Sequence, residues 1–207
     1  MPFIAAAATG TSQSATIHLK GVHLCGILRW SVKTLTDKPQ ADAVSQAVAP
    51  TTVHDLVNLA HPLHVPNDLP RQTAFGGVEF KTLRISVHLD GWKISADDGD
   101  IHLVVRDPLT NESMIVEFPD PSCTQAASSA HRDEMTAARL AIESACHDSH
   151  LSTGFHHLMG DATITGVGFF DKKHNQTGIA LNGIELHPVL SFESTDCKPA
   201  AKSGNGP

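Results

Sequence analysis

No tyrosine occurs in the chain, and the other large aromatics are few, eight Phe and two Trp. That scarcity weakens any reading in which bases stack along an aromatic platform. No apolar run approaches the roughly 20 residues a membrane-spanning helix needs, so a transmembrane helix and a membrane partner are excluded as expectations. Basic surplus is missing too. The formal charge is −7 with histidine neutral, which disfavours a phosphate-neutralising nucleic-acid partner at neutral pH. The four cysteines, Cys25, Cys123, Cys146 and Cys197, show no CxxC spacing, leaving zinc-ribbon and thioredoxin-type readings without support. GxSxG, HExxH, GxGxxG and P-loop signatures are likewise absent, so no familiar catalytic motif announces an enzyme.

What is there describes a globular protein. A chain of 207 residues that is 41% hydrophobic can bury a real core, as one domain with embellishments or one and a half domains. The opening MPFIAAAATG is apolar but has no Lys or Arg before it, and reads as the stump of a signal peptide or a vector-derived scar. An even, scattered set of cysteines leans towards disulfides and an oxidising compartment; four reduced, buried thiols are the alternative. Fourteen histidines, if all protonated, would carry the formal charge from −7 to +7. Either the surface is acid-sensitive or the composition has drifted without consequence.

Taken in order, residues 14–37 alternate as one or two strands, with Ile17 and Leu19, then Leu28, Trp30 and Val32 on one side. Residues 37–50 have no period and read as a loop. Thr52 and Asp55 form a capping pattern for a short helix over 52–60, stopped by His61-Pro62, and a Pro-rich loop follows. From Val78 the alternation is sustained: Leu83, Ile85, Val87 and Leu89 share a face, and the parity flips across Gly91 to Trp92 and Ile94, the mark of a bulge. Strands over 101–106 and 114–118 are joined by turn sequences. Helical spacing of Met135, Ala138, Ile142 and Ala145 predicts one good helix between Ser128 and His147. A fourth strand runs over 162–170 and a fifth over 183–192.

This order, with a bent first strand and the helix between strands three and four, predicts a mainly β (α+β) chain: an OB-fold-like five-stranded Greek-key barrel over 78–194. The prediction adds a strand/helix extension over 1–77 packed on the barrel and a disordered tail over 195–207, free from about Lys198. Another α+β barrel or sandwich is the alternative.

Strand parity also nominates a site. With Ile101, Leu103, Val105, Met114, Val116, Phe118, Ile184 and Leu186 inward, the side chains of Asp100, His102, Glu117, Glu185 and His187 point outward. Neighbouring strands lie about 4.8 Å apart, so His102, Glu117, Glu185 and His187 fall within a patch roughly 10 Å wide. Two imidazoles and two carboxylates suit a divalent metal with N and O ligands, zinc, copper or manganese, or an acid/base pair. Polar exteriors contain such residues without a role, and one slip of register would scatter the set. The connector 171–182, with His174, Asn175, Gln176 and Asn182, is the second candidate, a loop able to close over a ligand together with Asp100.

The segment GVGFFDKKHNQTGIALNGIELHPVL resembles an uncharacterised bacterial family of largely exported proteins. RWSVKTLTD, TTVHDL, DGDIHLVVRDP and MIVEFPDPSC extend the likeness over most of the chain. The resemblance implies a signal peptide ahead of the first cysteine and a cysteine pair corresponding to Cys123 and Cys146. Asn175 stands where the family has Gly, and Leu181 where it has Pro. No activity comes with the family. The leading expectation is therefore a secreted or periplasmic OB-type binding module for oligosaccharide, nucleic acid or a protein partner. A metal-dependent hydrolase of nuclease or phosphoesterase type, using His102, Glu117, Glu185, His187 and His174, is the second, and a structural exported domain the third.

Overall fold

The computed structural model describes residues 25–173 and 176–201. Its organising element is the 14-residue strand β2, Lys81–Ile94, whose apolar residues alternate inward up to Leu89 as the sequence predicts. At Asp90 the pairing slips: Leu89 faces Val105, whereas Gly91 faces Val104. A side chain at Gly91 would start 2.5 Å from the Phe155 ring, so glycine is required where the neighbouring chain crosses closely. The bulge bends β2, and its two halves serve different partners.

Those partners close a barrel. The far half of β2 pairs antiparallel with β3, Ile101–Arg106, and β3 with β4, Ser113–Phe118. Its near half pairs antiparallel with β6, Asp161–Phe170, which pairs with β7, Ile184–Glu193. Parallel pairing of β4 with β7 completes the ring of five strands. The chain is thus mainly β with an OB-like barrel. Helix α4, Arg132–Ala145, follows β4 and packs against β7, burying Met135, Ala138 and Ile142. The interior is one apolar cluster built from the inward sets named above plus Ile85, Ile164 and Phe192.

The extension differs from its sequence reading. Residues 30–33 form a helical turn, α1 (Trp30–Lys33), not a strand. Arg29 enters it at φ 49°, and the Lys33 and Thr34 amides bond back to the Arg29 and Trp30 carbonyls, so Trp30, Val32 and Lys33 are all buried. The call on Ile17 and Leu19 lies outside the described residues. Within the predicted loop, Ser45–Pro50 is a strand, β1, laid parallel on β2; every side chain is exposed, so no period marks it. Helix α2, Val53–Val57, is capped as expected, the Thr52 side chain accepting from the Asp55 amide. A further helical turn, α3 (Thr124–Ser128), precedes α4. The loop after α4 contains β5, His156–Met159, which pairs with β2 and with β8, Lys198–Pro199. The tail is therefore bound at the point where it was expected to become free.

Both cysteine pairs are bridged, but not as the resemblance implied. Cys25 joins Cys123 and Cys146 joins Cys197, with Cα separations of 5.5 and 5.1 Å. Helix α4 lies between Cys123 and Cys146, and 14 helical residues carry its ends about 20 Å apart, beyond the roughly 7 Å a disulfide spans. Cys123 instead ties the start of the helical region to the segment before α1, and Cys146 ties its end to the segment before β8. Two disulfides fit an oxidising environment. No helix among the described residues is long and apolar enough to cross a membrane.

Candidate functional site

Strand register brings the nominated side chains together. His102 and Glu117 stand directly opposite in the β3–β4 ladder. Glu185 and His187 share a face of β7, which lies beside β4 through the Ile115–Glu185 and Val116–Leu186 pairs. Asp100 leads into β3. The convergence is as predicted; the exposure is not. His102, Glu117, Glu185 and His187 are all buried, His187 and Glu185 completely. The outer faces of β3, β4 and β7 are covered: Gly178 of the 171–183 loop lies against Val104, α2 packs on β4, and α1 brings Lys33 over the Phe169 ring. Parity identifies the outward side of a strand, but not what the rest of the chain lays over it.

The cover is fastened by Arg29. Its guanidinium meets the Glu79 carboxylate in two parallel bonds of 2.9 and 2.8 Å and also donates to the carbonyls of Leu69, Pro70 and Phe170. Glu79 accepts further bonds from the amides of Gln72 and Phe170, so this buried pair is fully satisfied. The Cys25–Cys123 bridge anchors the same segment from its other end.

Beneath the cover lies a polar cluster. His102 Nδ1 is 3.1 Å from Glu117 Oε1 and its Nε2 3.2 Å from the Thr177 carbonyl, so both ring nitrogens are engaged and the ring orients Glu117. That consumes His102, which is not available as a ligand. His187 sits between two carboxylates, with Nδ1 3.0 Å from Glu117 Oε2 and Nε2 3.3 Å from Asp100 Oδ2. These are ion-pair separations without hydrogen-bond alignment: both His187 nitrogens, Asp100 Oδ2 and both Glu185 oxygens are buried with no hydrogen-bond partner among the described residues. Lys33 Nζ lies 3.8 Å from Glu117 and 3.7 Å from Asp171.

The electrostatics follow from burial and crowding. Burial, assisted by Asp98 and Glu117 and opposed by His187, pushes the Asp100 carboxyl up to about 7. Burial and the charges of Glu117 and Asp171 also raise Glu185 well above the carboxylate range. Burial would raise Glu117 as well, yet Lys33 and the two imidazoles hold it well below. For His187 and Lys33 burial acts downward and is overcome by the carboxylates around them, so both are raised. Ligand atoms of Asp100, Glu117 and His187 all lie within 4.8 Å of one another, and these three residues could hold a metal ion.

Above the cluster opens a cleft of about 560 Å³. It is lined by the Asp97, Asp98, Glu117 and Asp171 carboxylates, by His102 and Gln176, and by two lysines, Lys33 and Lys93. Among the described residues no Phe or Trp lines it. Gln176 Oε1 is buried there without a donor among the described residues. Of the loop residues nominated from sequence, His174 and Asn175 lie outside the described residues. Asn182 faces away from the cleft: its Nδ2 donates to the carbonyls of Leu56 and Leu59 and its Oδ1 accepts from the Ile184 amide, fixing α2 to the start of β7. Asp100 belongs with His187, below the cleft. Sequence reasoning missed Lys33, Asp98 and Asp171. Asp98 and Asp171 flank predicted strands and were within reach of the parity argument, whereas nothing local marks Lys33, placed on the solvent side of a strand that does not exist.

No family model matches the chain, and no curated protein matches it. Among solved structures it is similar to a putative aspartyl-tRNA synthetase from Leishmania major Friedlin, at 12% identity and a TM-score of 0.38. That match covers 73% of this chain and 21% of the other, so the chain spans about a fifth of its length. A likeness this weak carries no argument about function.

Proposed function

We propose that the chain is an exported OB-type binding module whose cleft takes a cationic, hydrogen-bond-donating group, such as a Lys or Arg side chain of a protein partner. In OB barrels the outer face of the second and third strands, flanked by the loops after strands one and four, is the ligand face. Here those elements are β3, β4, the 95–100 turn and the 171–183 loop, and they enclose this cleft. The observation that carries the reading is the buried Gln176 Oε1, without a donor among the described residues, in a lining shared with Asp97, Asp98 and Asp171. A buried acceptor without a partner costs about 1–3 kcal/mol, which a ligand N–H would return. The lining holds no Phe or Trp among the described residues on which bases could stack, and its four carboxylates outnumber Lys33 and Lys93, which disfavours polyanions. The disulfides support export.

The test is calorimetry with hexa-arginine, a neutral oligosaccharide and single-stranded DNA at 0.15 M salt. Hexa-arginine should bind wild type and lose at least tenfold in affinity in an Asp98→Asn, Gln176→Leu variant, while Asp133→Asn, Glu134→Gln on the far helix changes little. Binding of DNA or oligosaccharide in preference to the peptide would overturn the reading. The hydrolase alternative draws on the Asp100–Glu117–His187 group. It ranks second because Asp100 and His187 are completely buried, leaving a substrate no access in this conformation.

A further inference from the structure

We infer that Asp100, Glu117 and His187, with Glu185 beside them, form a buried divalent-metal site that stabilises the covered face of the barrel. The inference is independent of what occupies the cleft above. Its first support is charge. Five carboxylates, those of Asp98, Asp100, Glu117, Asp171 and Glu185, share the cluster with Lys33, His102 and His187. The carboxylates outnumber the basic side chains they face, and Asp100, Glu117, Glu185 and His187 are buried. Burying uncompensated charge is expensive, and proteins avoid it by pairing, by protonation or by coordinating a metal. A divalent cation would offset that excess.

The second support is the pattern of unmet valences. Asp100 Oδ1 accepts from the Asp120 amide at 2.8 Å, which orients the carboxylate and leaves Oδ2, the orphaned oxygen, towards His187. Glu117 Oε1 is held by His102, leaving Oε2 towards His187. A fixed outer oxygen and a free inner one is the arrangement of carboxylate ligands steadied by surrounding hydrogen bonds. Glu185 contributes two more buried oxygens without partners, two residues before His187 on the same face of β7. The 3.3 Å between His187 Nε2 and Asp100 Oδ2 matches the separation of two ligands on one ion with bonds of about 2.0–2.2 Å. One imidazole nitrogen with carboxylate oxygens suits Zn²⁺ or Mn²⁺.

If the cluster is instead neutralised by protons, metal has no place in it, and the two cases separate by experiment. The full chain, stripped with chelator and preincubated with Zn²⁺ or Mn²⁺, should bind about one equivalent by elemental analysis after gel filtration. At a hundredfold excess over Kd its midpoint of melting should rise by about 5–10 °C. Substituting Co²⁺ should give visible absorption bands characteristic of a low-coordinate site with a nitrogen ligand. Asp100→Asn keeps the oxygen that accepts from Asp120 and therefore the fold; it should weaken binding at least tenfold, as should Glu185→Gln. Binding that survives both variants would place the ion on surface histidines and overturn the inference. So would a stripped wild-type chain that takes up no metal and melts unchanged, or a Glu185→Gln variant that melts higher with metal indifferent to it.

Discussion

Replacing Glu79 by glutamine tests whether one buried ion pair holds the cover over the cluster. The substitution keeps shape and one oxygen but turns the other acceptor into an NH₂ facing Arg29 Nη2 and the Gln72 amide, both donors. It also leaves the guanidinium, 1% exposed, without its counter-charge. Removing one partner of such a pair costs about 3–5 kcal/mol. For a domain of this size each kcal/mol lowers the melting midpoint by about 2–4 °C, so the variant should melt roughly 6–20 °C below wild type. The double replacement Arg29→Met, Glu79→Leu should recover only part of the loss. It removes the stranded charge, but the carbonyls of Leu69 and Pro70 and the amides of Gln72 and Phe170 then lose side-chain partners. Chemical denaturation of wild type, both single variants and the double gives a cycle whose coupling should be about 2–3 kcal/mol. Hydrogen exchange supplies the structural readout: the Lys33 and Thr34 amides, bonded within α1, should open faster in Glu79→Gln, while β6 amides keep their protection. A Glu79→Gln variant within about 1 kcal/mol of wild type, or an additive cycle, would refute the reasoning.

Other consequences are as direct. Free-thiol titration of denatured, unreduced protein should find no reactive cysteine, and reduction should destabilise strongly. The Cys25–Cys123 bridge closes a 98-residue separation, worth about 4–5 kcal/mol of unfolded-state entropy, and Cys25→Ser with Cys123→Ser should show a loss of that order in denaturant unfolding. Asn182→Ala should cost about 1–3 kcal/mol in the same assay, by orphaning the Ile184 amide and taking a donor from the Leu56 and Leu59 carbonyls, while leaving hexa-arginine binding unchanged. His54 should titrate by NMR above the ordinary imidazole value, because Glu112 bonds to its Nδ1, and Glu112→Gln should bring it down. The raised histidine contributes stability that is fully present below its unfolded value and lost as pH rises through the folded one. The lowered Glu112 contributes above its own unfolded value and loses that as pH falls. The pair therefore acts only in the window between.

Alternation, glycine and proline carried most of the barrel into view. Inward parity in β2, β3, β4 and β7, the Gly91 bulge and the Thr52 cap are local signals, set by the two-residue repeat of a strand and the unsatisfied amides of a helix start, so they can be read without knowing the partners. From the same parity the sequence by itself determined that Glu117, Glu185 and His187 share the outward side of the barrel with His102 and that Asp100 lies at its edge. Burial of that side was not legible, because it depends on α1, α2 and the 171–183 loop folding back over residues about 55 to 140 positions away. The Arg29–Glu79 and Lys33–Asp171 pairs and the Cys25–Cys123 bridge span 50, 138 and 98 positions, and no periodicity encodes such contacts. Only the tertiary structure decided that a patch expected to face solvent became a buried polar cluster beneath a cover.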